Sequence, residues 1–157
     1  MEQFVFRRAK IEDANKLAEL AYELNLYHGE NIKPTAEKFI KDWKYFEAFV
    51  IETHGQIIAF TIGYLTYQFH TAILRFEIQN LHVQEEFRGL GVASMLFKNL
   101  ILAKHKEGVR KFSLGVQVEN KIARSFYEKF GFDERPQNQV RYVFGGKKLE
   151  EFIKNET

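Results

Sequence analysis

The most constraining feature of this chain is a tight turn with two glycines that joins an extended apolar segment to a helix. The apolar segment ends at Val83, and good helix formers run over residues 92–106. Gly89 and Gly91 lie in the turn, behind Arg88. The first backbone N–H groups of a helix have no intrahelical partners, and glycine lets a ligand approach the backbone closely. The segment therefore predicts an anion site that suits a phosphate.

Arg88 supports this prediction, because a guanidinium group offers a fixed charge and a fork of donors that fits phosphate oxygens. The alternative is an ordinary strand-to-helix connection with a solvated Arg88, since short glycine motifs match by chance. The Walker motif is absent, and Ser94 stands where the dinucleotide fingerprint has its third glycine. A nucleotide-binding domain is a further alternative, although the chain lacks both complete motifs.

Composition indicates one globular domain over residues 1–157. Hydrophobic residues make up 45% of the chain, charged residues make up 28%, and the net charge is +2. We therefore expect no nucleic-acid partner. The amino terminus lacks the apolar run of a signal peptide, and no stretch is long and apolar enough to span a bilayer. The expectation is a cytoplasmic protein without a membrane partner.

The chain contains no cysteine. This excludes disulfides, thiolate zinc sites and an acyl-cysteine intermediate. The five histidines show no spacing typical of metal ligands, so no metal site is expected.

Strand-like segments outnumber helical segments, and their order along the chain is mixed. We expect an α/β (α+β) fold, a single mixed, mostly antiparallel twisted sheet flanked by helices. Apolar alternation and turn signals predict strands over residues 3–8, 46–53, 56–67, 74–83, 109–118, 132–134 and 139–144. Helical spacing predicts helices over residues 11–27, 92–106, 120–130 and 147–155, and another that begins at Pro34. The last helix is expected to dock on the domain or to form a homodimer contact.

Two blocks of residues resemble a known family. The run Arg88-Gly89-Leu90-Gly91-Val92-Ala93 fits Arg/Gln-x-x-Gly-x-Gly/Ala, the signature of the GNAT family of N-acetyltransferases, with Ala93 as the permitted last residue. The second block is similar to the family's later Asn-x-x-Ala-x-x-x-Tyr helix and Gly-Phe strand, and it contains Asn120, Ala123, Tyr127, Gly131 and Phe132. The blocks follow the family's order and spacing, and the resemblance covers residues 74–135.

This resemblance implies the GNAT fold and acetyl-CoA as co-substrate. The loop from Arg88 to Ser94 would hold the coenzyme A pyrophosphate, mostly through backbone N–H groups. The strand end Leu81-His82-Val83 would pair with the pantetheine arm as an extra strand. An N–H of Val83 or its neighbour would then point at the thioester oxygen. Because this is backbone chemistry, we interpret His82 as a strand side chain rather than a base.

Asn120, Ala123 and Tyr127 share one face of the predicted helix, at spacing i, i+3 and i+7. By the resemblance, Asn120 would hydrogen-bond the pantetheine amides or cap the helix, and Ala123 would leave room for the arm. Tyr127 would protonate the departing thiolate, for which a hydroxyl with a pKa of about 10 is suited. The alternative is that Tyr127 is a core residue like its aromatic neighbours.

Glu77, six residues before Val83, is the candidate base. In some members of the family a glutamate at this place relative to the strand end removes the proton, often through water. The alternative is that Glu77 faces solvent or a lysine and that a water chain removes the proton. Gln79 and Asn80 stand where many small-amine acetyltransferases carry acidic residues, which argues against a polyamine acceptor.

These inferences predict an acetyl-CoA-dependent N-acetyltransferase. It would transfer the acetyl group directly to a primary amine of a small molecule, peptide or protein. Two alternatives are a transferase that uses another acyl-CoA, such as succinyl-CoA, and a non-catalytic acyl-CoA-binding regulatory module. A transferase with another donor would release free thiol only from that acyl-CoA. A regulatory module would release no free thiol.

Overall fold

The computed structural model describes residues 3–135 and 140–156. The chain divides into two compact units, residues 1–117 and residues 118–157. The first unit holds the sheet and the helices packed on it, and the second holds two carboxyl-terminal helices. One domain over the whole chain stays a prediction.

The first unit contains strands and helices in mixed order. They are β1 (Val5–Arg8), α1 (Ala14–Tyr27), α2 (Ala36–Lys41), β2 (Glu47–Thr53), β3 (Gln56–Gln68), β4 (Ile73–Val83), α3 (Val92–Lys106) and β5 (Lys111–Leu114). The second unit contains α4 (Lys121–Phe130) and α5 (Gly146–Glu156). Helix α3 begins and ends at the predicted residues, and the first four strands lie within a few residues of their predicted positions.

The strands form one sheet in the order β1-β2-β3-β4-β5. Neighbouring strands are antiparallel except β4 and β5, which are parallel. The predicted mixed, mostly antiparallel sheet is therefore confirmed. The parallel step follows from the connection, because α3 lies between β4 and β5 and a parallel pair needs a long crossover.

The sheet is covered on both faces. On one face, a buried cluster joins α1 to the sheet and includes Leu17, Leu20, Leu24, Val50 and Phe60. Phe49 points the other way, as alternation along a strand requires, and its ring packs against that of Phe76. Phe76 lies beneath Lys104 of α3, with Nζ 5.2 Å from the ring centre. Helices α1 and α3 thus hold β4 between them.

One extra residue interrupts β4 where it pairs with β3. Ile62 pairs with Asn80, but the next residue, Gly63, pairs with Ile78, so Gln79 is bulged. A Cβ on Gly63 would lie 2.2 Å from a β4 carbonyl oxygen, so only glycine fits there. The bulge adds one residue to one strand and reverses the faces on which the following side chains lie.

Lys104 is a fully buried cation in the last turn of α3. Its Nζ lies 2.7 Å from a carboxylate oxygen of Glu47 and also contacts Glu107. Arg8 binds the same two carboxylates at 2.5 Å each. Buried charges are tolerated when they are paired, so these four side chains fasten α3 to β1 and β2. The sequence pattern indicated only a basic helix end, because Glu47 and Arg8 are distant from Lys104 along the chain.

Three strand predictions were wrong in whole or in part. Strand β5 is shorter than the predicted span of residues 109–118, because its ladder with β4 stops at the pair Ile78 and Leu114, next to the bulge. Residues 132–134 and 140–144 are irregular, and Gln139 lies outside the described residues. Tyr142 and Val143 are 92% and 87% exposed. Apolar alternation alone does not make a strand, since a strand also needs a partner.

Within the described ranges, no helix is both long and apolar enough to cross a membrane. The same residues contain no cluster of three or more His, Cys, Asp or Glu side chains that could hold a metal ion.

Candidate active site

The loop between β4 and α3 has the backbone conformation that its glycines predict. Gly89 and Gly91 both have left-handed φ angles, 76° and 79°, which side chains with a Cβ rarely adopt. A Cβ on either residue would meet no atom within 4 Å. The glycines are therefore required by the turn itself, and the space beside them is open to a ligand.

The amino-terminal end of α3 presents unpaired amides toward this space. Gly91 caps the helix without a side-chain acceptor, and Met95 N donates the first intrahelical bond, to the Gly91 carbonyl at 3.0 Å. The N–H groups of Val92, Ala93 and Ser94 consequently have no intrahelical partner. The first turn also carries no acidic side chain. The helix start can bind an anion through these amides and through the helix dipole.

Arg88 fastens the loop to the strand. Its Nε donates a hydrogen bond to the Val83 carbonyl at 2.9 Å, and its guanidinium carbon lies 5.2 Å from the centre of the Tyr27 ring. Within the described part of the chain, the two Nη groups make no hydrogen bond. Arg88 thus has a structural bond that the sequence did not reveal, and its outer donors can still meet an anion.

The end of β4 has a backbone edge with no strand beside it. Strand β5 pairs with β4 only as far as Ile78, so the described residues supply no ladder partner for residues 79–83 on that side. Gln84 N donates to the Ile58 carbonyl of β3 at 3.0 Å. Because backbone groups alternate between the two edges of a strand, the N–H groups of Leu81 and Val83 point to the open edge. An extended ligand can pair there as an additional strand.

His82 lies on the α1 face of the sheet and is buried, with 5% of its surface exposed. Its Nε2 is 3.1 Å from a carboxylate oxygen of Glu23 on α1. Burial lowers the pKa of His82, although Glu23 acts in the opposite direction. The ring is therefore neutral near pH 7. Glu23 was not predicted as a site residue, and its only signal in the sequence is its position between Leu20 and Leu24, at the edge of the apolar stripe of α1.

Glu77 is half-buried and accepts a hydrogen bond from the Ser113 hydroxyl of β5. Glu77 pairs with Tyr64 of the neighbouring strand β3, and His82 pairs with Phe60 of the same strand. Tyr64 and Phe60 are an even number of residues apart, so Glu77 and His82 lie on the same face. Without the bulge at Gln79 they would lie on opposite faces. The bulge therefore turns the Glu77 carboxylate toward the α1 side.

The second unit contains the remaining candidates, all on or beside α4. Asn120 is the N-cap, and its side-chain oxygen accepts a hydrogen bond from Ala123 N at 3.1 Å. Tyr127 is half-buried, and burial raises the pKa of its hydroxyl. Its ring contacts Phe126 and Phe132 at centre distances of 5.4 and 6.1 Å. Of the two roles expected for Asn120, the structure shows the helix cap.

The sequence model of the Acetyltransferase (GNAT) family matches residues 14–132, which include the loop, the whole of β4 and α4. The chain belongs to the GNAT family of acetyltransferases. The resemblance inferred from the two motif blocks is therefore confirmed.

Two curated relatives match part of this GNAT family member. An uncharacterized N-acetyltransferase of Methanocaldococcus jannaschii is 41% identical over 59 residues, 38% of this chain and 26% of the relative. N-alpha-acetyltransferase 30 of Schizosaccharomyces pombe is 34% identical over 73 residues, 46% of this chain and 48% of the relative. The match thus spans less than half the length of either relative.

A solved structure extends the likeness to nearly the whole GNAT fold. It is an aminoglycoside acetyltransferase from an uncultured soil metagenomic sample, in complex with sisomicin. The TM-score is 0.77 at 17% identity, over 92% of this chain and 97% of that one. At this identity the likeness concerns the fold alone.

Proposed function

We propose that this GNAT enzyme transfers the acetyl group of acetyl-CoA directly to a primary amine of a small molecule, peptide or protein. The observation that carries the proposal is the open edge of β4 next to the loop of residues 88–94. Backbone donors for an extended amide chain and for a diphosphate follow one another along one stretch of chain. Coenzyme A has these two parts in this order.

The donor would be held mainly by backbone groups. The amides of Val92, Ala93 and Ser94 would bind the pyrophosphate, with Arg88 adding charge from its outer nitrogens. Leu81 and Val83 would pair with the pantetheine arm through the open edge. One of these two N–H groups, that of Val83 or of its neighbour on the open edge, Leu81, would stabilise charge on the thioester oxygen, as preorganised backbone amides do in acyl transfer, while the other pairs with the arm.

The transfer forms one bond and breaks one. The amine nitrogen attacks the thioester carbonyl carbon, the new C–N bond forms, and the C–S bond breaks with its electron pair on sulfur. The proposed base is Glu77, which removes the amine proton directly or through water and is oriented by Ser113. The proposed acid is Tyr127, which protonates the thiolate. Its raised pKa keeps the hydroxyl protonated at neutral pH, as this role requires. The assignment of Tyr127 rests on the family resemblance and this chemistry.

The acceptor is proposed only as a class. The S. pombe relative is named for acetylation of α-amines, and the solved structure is named for aminoglycosides. Both names refer to acetylation of amines, and we propose the same chemistry here.

The test combines ligand binding with turnover. Coenzyme A should raise the melting temperature of the protein, because a ligand that binds only the folded state stabilises it. Acetyl-CoA with a panel of amines and peptides should release free thiol, whereas succinyl-CoA should release much less. Stabilisation by coenzyme A without thiol release from any amine would favour the regulatory module. Stronger stabilisation by ATP or NAD would contradict the proposal entirely.

A matched pair of variants tests the acid. Tyr127→Phe should lower kcat by about 10²-fold or more, because general acid catalysis contributes about 10²–10⁴-fold, with the affinity for coenzyme A unchanged. Tyr142→Phe, at an exposed tyrosine of the same unit, should leave both quantities unchanged. Equal kcat values for the two variants would remove Tyr127 from the mechanism.

A further inference from the structure

We infer that Glu23 of α1 is a positioning residue that holds the end of β4 in the geometry needed for acyl transfer, an inference that rests on the proposed function. Glu23 does not lie in either motif block. Its carboxylate contacts two side chains of the strand end, and those side chains belong to the residues on either side of Val83.

Both oxygens of the Glu23 carboxylate are engaged. One is 3.1 Å from His82 Nε2, and the other accepts a hydrogen bond from Gln84 Nε2 at 3.0 Å. A single group on α1 therefore fixes the residue before Val83 and the residue after it. The side chain of Val83 itself is buried, and its N–H points to the open edge. The carboxylate thus fixes the direction of that N–H.

The next turn of α1 extends the same attachment. Tyr27, four residues after Glu23 and hence on the same helix face, packs on the Arg88 guanidinium. Arg88 in turn donates to the Val83 carbonyl. We call Glu23 and Tyr27 the α1 clamp. It contacts the chain at residues 82, 84 and 88, from the strand end into the loop.

The strand end needs such support because the sheet holds it on one side only. Strand β5 ends its ladder before the bulge, so the remaining β4 residues pair with β3 alone. A thioester-binding amide must be placed within a fraction of an ångström, since a misplacement of about 1 Å can cost about 10²-fold in rate. The α1 clamp restrains the end of β4 from one face of the sheet, in place of the second neighbouring strand that an inner strand has.

The clamp depends on hydrogen bonds rather than on negative charge. His82 is neutral near pH 7, and Gln84 is uncharged, so neither partner requires a carboxylate. A glutamine at position 23 can accept from Gln84 and can donate to His82 in its other tautomer. An alanine can do neither. This difference separates positioning from a role in which the charge of Glu23 acts on the acceptor amine.

The experiment compares Glu23→Gln, Glu23→Ala and the control Glu19→Ala, one turn earlier on α1, whose exposed carboxylate pairs with Lys16. Two readouts are measured on the full chain: hydrogen exchange of the Gln84 amide, which donates to Ile58, and kcat for thiol release from acetyl-CoA. In Glu23→Ala we expect Gln84 exchange to accelerate and kcat to fall by about 10–100-fold, with the affinity for coenzyme A within about threefold. Glu23→Gln and Glu19→Ala should match the wild type.

Unchanged Gln84 exchange in Glu23→Ala would overturn the inference. So would faster exchange with unchanged kcat, or a Glu23→Gln variant as slow as Glu23→Ala, because the charge itself would then matter. A wild-type protein that binds coenzyme A but acylates no amine contradicts the proposed function instead. The exchange of Gln84 is measurable in that case too, and accelerated exchange in Glu23→Ala alone would still support the attachment of the strand end to α1.

Discussion

The Nε of Arg88 donates a hydrogen bond to the carbonyl of Val83 at 2.9 Å, which ties the first residue of the loop of residues 88–94 to the last residue of β4. The two parts of the proposed donor site are therefore mechanically joined. The loop would hold the diphosphate, the strand end would hold the thioester, and Arg88 fixes the distance between them. This bond gives Arg88 a second role beside the attraction of phosphate.

Replacement of Arg88 tests this joint. Arg88→Ala should weaken coenzyme A binding by about tenfold, since a hydrogen bond from a charged group contributes about 1.5 kcal/mol or more. Arg110→Ala is the matched control, because Arg110 also donates to backbone carbonyls but at the far end of α3. Calorimetric titration with coenzyme A measures both affinities. Equal affinities of the two variants for coenzyme A would show that Arg88 contributes nothing to the site.

The left-handed glycine at the start of α3 gives a second prediction. Gly91→Ala should destabilise the fold by about 1 kcal/mol, because alanine is strained at a positive φ. Gly29→Ala is the control, since Gly29 has φ 78° against 79° and also has open space around it. Both variants should lose similar stability in urea unfolding, but only Gly91→Ala should lose affinity for coenzyme A. Loss of affinity for coenzyme A in both variants would show that general destabilisation of the fold, rather than the place of Gly91 in the loop, causes the effect.

Glu77→Gln tests the proposed base. Glutamine can still accept the hydrogen bond from Ser113 but cannot take a proton, so kcat should fall by about 10²-fold or more with unchanged affinity for coenzyme A. Glu85→Gln, at an exposed position before the loop, serves as the control. Steady-state thiol release measures both. A Glu77→Gln enzyme with normal kcat would favour a water chain as the proton acceptor.

The buried imidazole of His82 predicts a pH dependence of stability. Its pKa is lowered in the folded state, mainly by burial, so the unfolded chain binds more protons at mildly acidic pH. The stability that neutral His82 contributes is present above its unfolded pKa of about 6.5 and is lost as pH falls toward the lower folded value. Melting temperatures from pH 8 down to about pH 5 should therefore fall more steeply for the wild type than for His82→Gln. His54→Gln is the control. If the fall in melting temperature with pH is lost in His54→Gln but kept in His82→Gln, the assignment to His82 is contradicted.

Features that depend on residues close together in the sequence could be predicted. Helix α3 and its glycine turn depend on helix formers and on left-handed positions that only glycine adopts readily, and both lie where the sequence indicated. The cap of α4 by Asn120 is local in the same sense. These elements carry most of the proposed donor site, which explains why the family could be inferred from the sequence.

Features that depend on distant partners could not be predicted. The Gln79 bulge exists because of the pairing between β3 and β4, and it decides the face on which Glu77 lies. Lys104 can be buried because the carboxylate of Glu47, far away in the sequence, pairs with its Nζ. The apolar alternation at residues 140–144 predicted a strand, but those residues have no ladder partner within the described ranges.

A titration of the ¹⁵N-labelled protein with coenzyme A, followed through backbone amide chemical shifts, tests the proposed donor site. If coenzyme A binds at the loop and the strand end, the largest changes fall on the amides of residues 89–94 and on Leu81 and Val83, with small changes at the far end of α3. Saturable binding with the largest shifts elsewhere, and with the amides of Gly91 to Ser94 unmoved, would contradict it.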